Sequence, residues 1–216
     1  MKLYDYYRSS ASYRVRIALN LKGLNYQQVP VSLIDNEQLS EAYTTLNPSG
    51  LVPGWDNESN GVGILGQSLA IIEYLNDRYP DPPLLPDDLW QKAKCREIAL
   101  TIACDIHPLN NLRVLNYLNT ELGVSQNEKM IWYHHWLKRG LQNLERLVSQ
   151  QKHPYCCGSG PTLADLCLIP QLYNAKRFGF DTRHYPHLLN IEAHCQAQPA
   201  FIAAHPDNNL ILDRKY

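Results

Sequence analysis

A proline-rich stretch, DPPLLPDD at residues 81–88, divides the sequence into two parts of different character. Its three prolines cannot extend a helix and are disfavoured inside a sheet. Before this stretch the apolar residues change their period repeatedly, whereas after it they recur at helical spacing. We therefore predict a first domain at residues 1–80, a linker at 81–88 and a second domain at 89–216.

The first part is predicted to alternate short strands with helices in the order β-α-β-α-β-β-α. Strands are expected at residues 2–7 and 26–32, and two more flank a turn near residues 57–63. At the end of the first helix, Gly23 can adopt the left-handed backbone conformation that stops a helix. The helices are expected at residues 12–22, 37–46 and 67–79. This order predicts an α/β domain.

The second part is predicted to be all-helical. Ser125 with Glu128, and Thr162 with Asp165, have the spacing of a capping box, and each pair precedes an apolar run of helical period. A shorter helix is expected near Phe201. The main helices are expected at residues 89–119, 126–150, 163–178 and 187–196.

Charge and composition limit the possible ligands. The 216 residues include 20 basic and 21 acidic ones, a formal charge of −1, so nucleic acid or an anionic membrane is not expected as the main partner. The N-terminus lacks the apolar stretch of a signal peptide, which predicts a cytoplasmic protein. The six cysteines lack C-x-x-C or metal-ligand spacing, so we expect reduced thiols and no metal. A small molecule is therefore the expected ligand.

Ser9 and Ser10 lie where the first strand ends and the first helix begins. At a helix N-terminus the free backbone N–H groups and the helix dipole attract negative charge, and serine hydroxyls add further donors. This position therefore suits an anion. The alternative is that one of the two serines is an ordinary N-cap.

Two further segments could bind a peptide-like ligand. A cis bond between Val52 and Pro53 would turn the backbone groups of Val52 outward, where they could pair with the backbone of a ligand. Gln67 and Ser68 open the next helix and offer amide, hydroxyl and N–H groups to a carboxylate. The alternatives are a trans proline in a loop and an ordinary N-cap serine.

Several segments of the chain together match one known family. RSSASYRVRIALNLKG at residues 8–23 is similar to the signature SSC-x-WRVRIAL-x-LKG, and TLNPSGLVP and QSLAIIEYL match further segments of the same family. In the second part, CDIHPLNNLRVLNYL and GPTLADLCLIPQLYNAKRF match as well. The chain thus resembles the zeta class of glutathione transferases, whose members include maleylacetoacetate isomerase and bacterial maleylpyruvate isomerases. The resemblance implies a thioredoxin-like first domain, an all-α second domain and a homodimer.

The resemblance also implies that glutathione is the cofactor. The first 94 residues contain no cysteine, so the reacting thiol would come from glutathione, held as its thiolate by Ser9 with Ser10 beside it. For His107 the alternative is a packing or hydrogen-bonding residue. The remaining contacts to glutathione are implied for Gln38, the backbone of Val52, Gln67, Ser68, His107, Asn111 and Arg113.

Arginines are the candidates for binding the substrate. The implied substrate carries two carboxylates, and Arg8 and Arg177 match arginines that recur in the family. The alternative for Arg177 is a surface arginine that pairs with a nearby acid. Arg14 and Arg16, on the first helix, are expected to face solvent, the sheet or another subunit.

Two positions depart from the family signature. Ala11 stands where the signature has a cysteine, and Tyr13 stands in place of its tryptophan. The cysteine therefore cannot be required in this chain, and the serines are the expected catalytic residues. The departure also leaves open the choice between the maleylacetoacetate and maleylpyruvate branches of the family.

The implied reaction is the glutathione-dependent cis–trans isomerisation of a maleyl keto-diacid to its fumaryl isomer. With maleylacetoacetate as substrate, the enzyme would act in tyrosine and phenylalanine catabolism. The alternatives are a maleylpyruvate isomerase of gentisate catabolism, a general glutathione transferase acting on haloacids, and a non-enzymatic interaction module built on the same fold. No metal is implied.

Overall fold

The computed structural model describes residues 1–57 and 63–213 of the chain. These residues form two compact units: the first contains Met1–Leu84 and the segment from Gln196 onward, and the second contains Leu85–Cys195. The strands are β1 (Lys2–Asp5), β2 (Gln27–Pro30) and β3 (Gly54–Asp56). The α-helices are α1 (Ser10–Leu21), α2 (Glu41–Leu46), α3 (Ser68–Arg78), α4 (Leu89–Leu100), α5 (Leu112–Thr120), α6 (Gln126–Val148), α7 (Leu163–Arg177), α8 (Pro186–Gln196) and α9 (Pro199–Ala204).

The sheet of the first unit has the strand order β2-β1-β3. The central strand β1 is parallel to β2 and antiparallel to β3, where Leu3 lies opposite Trp55. Both of these side chains are buried, so the core of the unit packs against the central strand. Among the described residues, the predicted fourth strand is reduced to one bridge, in which Leu65 exchanges two backbone hydrogen bonds with Trp55. Residues 58–62 of the predicted turn lie outside the described residues.

Helix α1 is buried on almost all sides rather than on one face. As predicted, Gly23 follows the end of the helix in the left-handed conformation, with a φ of +63°. The next residue, Leu24, donates its N–H to Leu19 O at 3.0 Å and so closes the last turn. Arg14 and Arg16 are 2% and 0% exposed. Solvent, one of the environments expected for these two arginines, is therefore excluded.

The C-terminal segment packs against the first unit, whereas the sequence pattern grouped it with the helical domain. Helix α9 lies against α1. Asn20 Nδ2 donates to Ala200 O at 3.1 Å, and Arg16 Nε donates to Ala204 O at 3.0 Å. The bonded residues are 180 and 188 positions apart in the chain. No local pattern can predict contacts over such a separation.

The helix predicted at residues 89–119 is broken in the structure of the second unit. Helix α4 continues into a π-helical turn at Thr101–Ile106, a 3-10 turn follows at Pro108–Asn110, and α5 begins at Leu112. Pro108 has no N–H group to continue the α-helical hydrogen bonds, which explains a break beside it. Helix α6 approaches closely here, since a Cβ added at Gly140 would overlap the side chain of Ile106.

Both predicted capping boxes are present. At the start of α6, the Ser125 N–H donates to Glu128 Oε2 at 2.9 Å and the Glu128 N–H donates to Ser125 Oγ at 3.3 Å. At the start of α7, the Thr162 N–H donates to Asp165 Oδ2 at 2.8 Å. These two helices therefore begin where the spacing of the serine, threonine and acidic residues predicts.

The structure also bears on cofactors and membranes. All six cysteines are free thiols. No three His, Cys, Asp or Glu side chains within residues 1–57 and 63–213 are grouped so that they could hold a metal ion. None of the helices in that same part of the chain is long and apolar enough to cross a membrane.

Candidate active site

The junction between β1 and α1 places both predicted serines at a helix N-terminus. The chain turns tightly here, because Ser9 donates its backbone N–H to Tyr6 O at 2.8 Å. Ser9 also caps α1, since its Oγ accepts the Ser12 N–H at 3.2 Å. Its hydroxyl proton has no acceptor among the described residues and can be donated to a ligand. Ser10, the first residue of α1, is buried. The ordinary N-cap role of Ser9 is thus present and leaves its donor available.

The start of α3 provides a second helix N-terminus in the same unit. Gln67 is exposed and has a φ of +64°, a conformation that residues other than glycine rarely adopt. Ser68 is buried, and its Oγ accepts a hydrogen bond from Arg14 Nη1 at 3.2 Å. This bond occupies a lone pair of the Ser68 oxygen, so the hydroxyl proton points elsewhere as a donor. Arg14 therefore orients the side chain that opens α3.

Both helix N-termini of the first unit favour negative charge. The first turns of α1 and α3 contain no acidic residue, so their N–H groups and dipoles are not neutralised locally. Arg14 adds a buried guanidinium next to Ser68. The arrangement suits a carboxylate or a thiolate at each helix end.

The segment before β3 presents free backbone groups. The Val52–Pro53 bond is cis. The preceding carbonyl, Leu51 O, is held by the Tyr43 hydroxyl at 2.7 Å and by Asn47 Nδ2 at 2.8 Å. Burial raises the pKa of Tyr43, so its hydroxyl stays protonated and continues to donate. Neither backbone group of Val52 has a partner among the described residues, and both can therefore pair with a peptide-like ligand.

Gln38 lies next to this segment and has an unsatisfied polar atom. Gln38 is 8% exposed, and its Oε1 accepts no hydrogen bond from any described residue. A Cβ added at Gly50 would lie 3.3 Å from Gln38 O, which shows how closely the two segments approach. A buried amide oxygen without a donor is destabilising, and a ligand N–H would remove that penalty.

In the second unit, the predicted residues occupy the turn that precedes α5. His107 Nε2 and Asn111 Nδ2 lie 3.4 Å apart, which suits a bond from the amide to a neutral imidazole. Asn111 also caps α5, because its Oδ1 accepts the Arg113 N–H at 3.2 Å. The Arg113 side chain is exposed on the first turn of that helix. The structure thus brings His107 and Asn111 into contact, with Arg113 nearby.

One segment of α6 holds this turn in place. Trp132 Nε1 donates to Leu109 O at 2.8 Å. Asn110 Nδ2 donates to Tyr133 O at 3.2 Å. These two bonds involve adjacent residues of the turn, so they hold it against α6 and with it the His107–Asn111 pair.

The same segment of α6 contacts the end of α7, which carries Arg177. The Arg177 guanidinium lies 4.7 Å from the centre of the Phe178 ring, and that ring packs on the Tyr133 ring at 4.6 Å. Burial strongly raises the pKa of Tyr133, and the positive charge of Arg177 partly opposes this rise. No carboxylate among the described residues pairs with Arg177. The surface ion pair considered for Arg177 is therefore not found there.

The sequence analysis did not single out Tyr133, and it left the partners of Arg14 and Arg16 open between solvent, the sheet and another subunit. Tyr133 carries no signal in the sequence beyond its position in an apolar helix face. Arg14 and Arg16 did carry one, because α1 contains no acidic residue that could pair with them at helical spacing. Two arginines in an apolar helix that contains no acidic residue indicate partners on other elements.

Known proteins resemble the chain along nearly its whole length. Residues 3–83 match the family model for the glutathione S-transferase N-terminal domain, and residues 110–205 match the model for the C-terminal domain. A probable maleylacetoacetate isomerase from Vibrio cholerae is 48% identical over 208 residues, which cover 95% of each chain. A maleylpyruvate isomerase from Ralstonia sp is 42% identical over 208 residues, which cover 95% of this chain and 97% of the relative.

A solved structure is similar to a comparable extent. The crystal structure of maleylacetoacetate isomerase from Methylobacterium extorquens, with bound malonate and GSH, superposes with a TM-score of 0.92. Its sequence is 36% identical, and the match covers 95% of this chain and 96% of that one. The similarity therefore includes both units of the present chain.

Proposed function

Because the chain belongs to the zeta class of the glutathione S-transferase family, we propose that it catalyses the glutathione-dependent cis–trans isomerisation of a maleyl keto-diacid to its fumaryl isomer. One observation carries this proposal. The first unit has two helix N-termini without acidic residues, one capped by Ser9 and one opened by Ser68. Such a pair suits a ligand that carries a thiolate and a carboxylate.

The residues of the first unit fit glutathione as the cofactor. Its γ-glutamyl carboxylate suits Gln67 and Ser68 at the start of α3, and its cysteinyl amide suits the free backbone groups of Val52. The unsatisfied Oε1 of Gln38 can accept a ligand N–H. His107, Asn111 and Arg113 are proposed to add further polar contacts to glutathione. When bound, glutathione supplies a thiolate that adds to the cis double bond and leaves again after the bond has rotated.

Ser9 is the residue proposed to hold the sulfur of glutathione as its thiolate, with Ser10 beside it. A free thiol has a pKa of about 8.5, and hydroxyl donors and a helix N-terminus both favour the anion. The Ser9 hydroxyl has no other acceptor among the described residues, and the N–H groups of α1 add to its effect. Ala11 stands where the family signature has a cysteine, so this position offers no protein thiol for the role.

Arg8 and Arg177 are proposed to bind the carboxylates of the substrate. Arg8 is exposed and stacks over the Tyr7 ring at 4.8 Å, one position before Ser9. Neither arginine has a carboxylate partner among the described residues. Their guanidinium groups can therefore pair with a diacid and stabilise negative charge that develops on its keto oxygen.

Replacing Arg8 or Arg177 by Met is expected to weaken substrate binding. Loss of a charge-assisted hydrogen bond of about 1.5–3 kcal/mol corresponds to a rise in KM for the diacid of about tenfold to a hundredfold. Steady-state kinetics at saturating glutathione measures this rise. Arg139→Met is the control, because Arg139 is an exposed arginine that also stacks on an aromatic ring, Trp136. A KM that stays at the level of this control would remove that arginine from the site.

The proposed function is tested by turnover of maleylacetoacetate and maleylpyruvate side by side, each with and without glutathione. We expect isomerisation of at least one substrate only when glutathione is present, with glutathione recovered unchanged. The preferred substrate is then the one with the higher kcat/KM. The two substrates differ only beyond the shared maleyl-keto unit, so both should reach the same thiolate.

Other outcomes of that experiment point to the alternatives. If neither diacid reacts and glutathione is consumed with a halogenated acid, the chain is a glutathione transferase acting on haloacids. If glutathione does not bind at all, the chain is a non-enzymatic module on this fold. The free Ser9 donor and the buried Ser68 argue for binding.

The cellular context is proposed from the same family membership. With maleylacetoacetate as substrate, the enzyme acts in tyrosine and phenylalanine catabolism, and with maleylpyruvate it acts in gentisate catabolism. We propose a cytoplasmic homodimer. Light scattering of the purified protein tests the dimer directly.

A further inference from the structure

We propose that Arg16 is a positioning residue for the thiolate site: it fixes the turn that carries Arg8 and Ser9 and links this turn to the C-terminal helix α9. This inference rests on the proposed function, because it concerns the serine assigned to the glutathione sulfur. It adds a role for a buried arginine and for a C-terminal segment that lies far from Ser9 in the sequence.

The guanidinium of Arg16 is fully buried and bonds to three separate parts of the first unit. Its Nη1 donates to both carboxylate oxygens of Asp5, each at 2.8 Å, at the end of β1. Its Nη2 donates to Tyr7 O at 2.9 Å, in the turn before Ser9. Its Nε donates to Ala204 O at 3.0 Å, at the end of α9. Both Arg16 and Asp5 have side chains that are 0% exposed, so water does not compete for these bonds.

The hydrogen bond from Arg16 Nη2 to Tyr7 O connects Arg16 to the turn that carries Ser9. Ser9 N donates to Tyr6 O, so the turn is closed at its base, and Arg16 holds the carbonyl at its centre. Arg8 lies between two residues whose backbone groups are both fixed. The position of the Ser9 hydroxyl relative to α1 therefore depends on a side chain two turns further along the same helix.

The last carbonyl of helix α9 accepts the hydrogen bond that Arg16 Nε donates. Ala204 is the last residue of α9, where helix carbonyls lack partners within the helix and the dipole is negative. A guanidinium suits this position in charge and in geometry. Because the fork of Arg16 is rigid and planar, anchoring Nε on α9 and Nη1 on β1 aims Nη2 at the Tyr7 carbonyl. A lysine at position 16 has one nitrogen and cannot hold three sites in fixed directions.

The test compares Arg16→Lys with Asn20→Ala. Asn20 also joins α1 to α9, through Ala200 O at 3.1 Å, but it does not touch the turn before Ser9. Both variants are expected to lower the melting temperature. Only Arg16→Lys is expected to lose thiolate, measured by ultraviolet absorbance of bound glutathione, with a fall in kcat of about tenfold to a hundredfold from misplacement of Ser9. Glutathione affinity, measured by calorimetry, should change far less than kcat.

A second readout uses the protein without glutathione. Amide hydrogen exchange at Ser9, whose N–H is bonded in the turn, is expected to be faster in Arg16→Lys than in Asn20→Ala. The proposal is overturned if a folded Arg16→Lys protein matches Asn20→Ala in thiolate absorbance, kcat and exchange at Ser9. That result would make Arg16 a purely structural residue.

A third variant keeps the proposal testable if Arg16→Lys does not fold. Gln28 donates to Asp5 Oδ2 at 3.2 Å and to Asn209 Oδ1 at 2.9 Å, at the edge of the same network. Gln28→Ala is expected to fold and to lose a smaller share of the thiolate, and an unchanged thiolate overturns the proposal in that case. Failure of the proposed function is distinct, because the natural protein would then show no bound thiolate.

Discussion

Replacing Ser9 by Ala is expected to lower kcat/KM for the diacid about 10²–10³-fold, the usual effect of removing one preorganised donor from a developing or bound anion. The Ser9 hydroxyl lies at the start of α1 and has no acceptor among the described residues. Loss of this hydroxyl raises the pKa of the thiol of bound glutathione, so less of it is thiolate at neutral pH. The thiolate absorbance of the complex and kcat/KM should therefore fall together.

A control is needed because Ser9 also caps α1. Loss of an N-cap lowers the free energy of unfolding by about 1 kcal/mol, which by itself leaves a folded enzyme active. Ser40→Ala removes another N-cap, in which Ser40 Oγ accepts the Tyr43 N–H at 3.3 Å at the start of α2, and with it a bond from Ser40 Oγ to Glu37 O at 2.7 Å. We expect a similar loss of stability and no loss of thiolate in this control.

Ser10→Ala decides between the two neighbouring serines. Ser10 is buried within the first turn of α1, whereas Ser9 is half-buried and precedes the helix. If Ser10→Ala abolishes the thiolate and Ser9→Ala does not, the assignment of the sulfur to Ser9 is wrong. The opposite result ranks Ser9 first.

Replacing Asp165 by Ala is expected to lower the free energy of unfolding more than replacing the acidic residue of the other capping box, Glu128. Its carboxylate is fully buried and accepts four hydrogen bonds: three at 2.8 Å, from Cys156 N, Thr162 N and Thr162 Oγ1, and a longer one from Cys195 Sγ at 4.0 Å. Removing the carboxylate leaves these buried donors without a partner, so the free energy of unfolding should fall by about 3–5 kcal/mol. Denaturant unfolding followed by circular dichroism measures this change.

Glu128 provides the matched control for Asp165. It is the acidic residue of the other capping box, in which it accepts the Ser125 N–H, but it is exposed. Glu128→Ala should therefore cause a much smaller loss, because water can replace the missing acceptor. Equal losses in the two variants would show that burial of Asp165 adds nothing to the motif. Asp165→Asn, which keeps one acceptor oxygen, should fall between them.

Much of the fold could be predicted because its elements are specified locally. The capping boxes at Ser125 and Thr162, the stop at Gly23 and the apolar periods each depend on residues within about one or two helical turns of each other. The same holds for the serines at the start of α1, since an N-terminus follows from the residues around it. Local chemistry therefore determined where the candidate anion sites lie along the chain.

Contacts between distant residues could not be predicted in this way. The break beside Pro108 has a local cause, but the α6 contacts that hold the turn come from Trp132 and Tyr133, both 23 positions away from their partners. The reduced fourth strand likewise depends on how Leu65 meets Trp55. Both the α6 contacts and the single Leu65–Trp55 bridge depend on packing between residues far apart in the chain, which a local pattern does not reveal.

By itself, the sequence determined the order of most strands and helices, the family of the chain and the serines, glutamines and arginines that are candidates for the site. Only the tertiary structure decided that Arg14 and Arg16 are buried and that α9 packs on the first unit. The physical reason is that a buried charge is stable only when its partners surround it. For Arg16 those partners, Asp5, Tyr7 and Ala204, meet only in the folded chain.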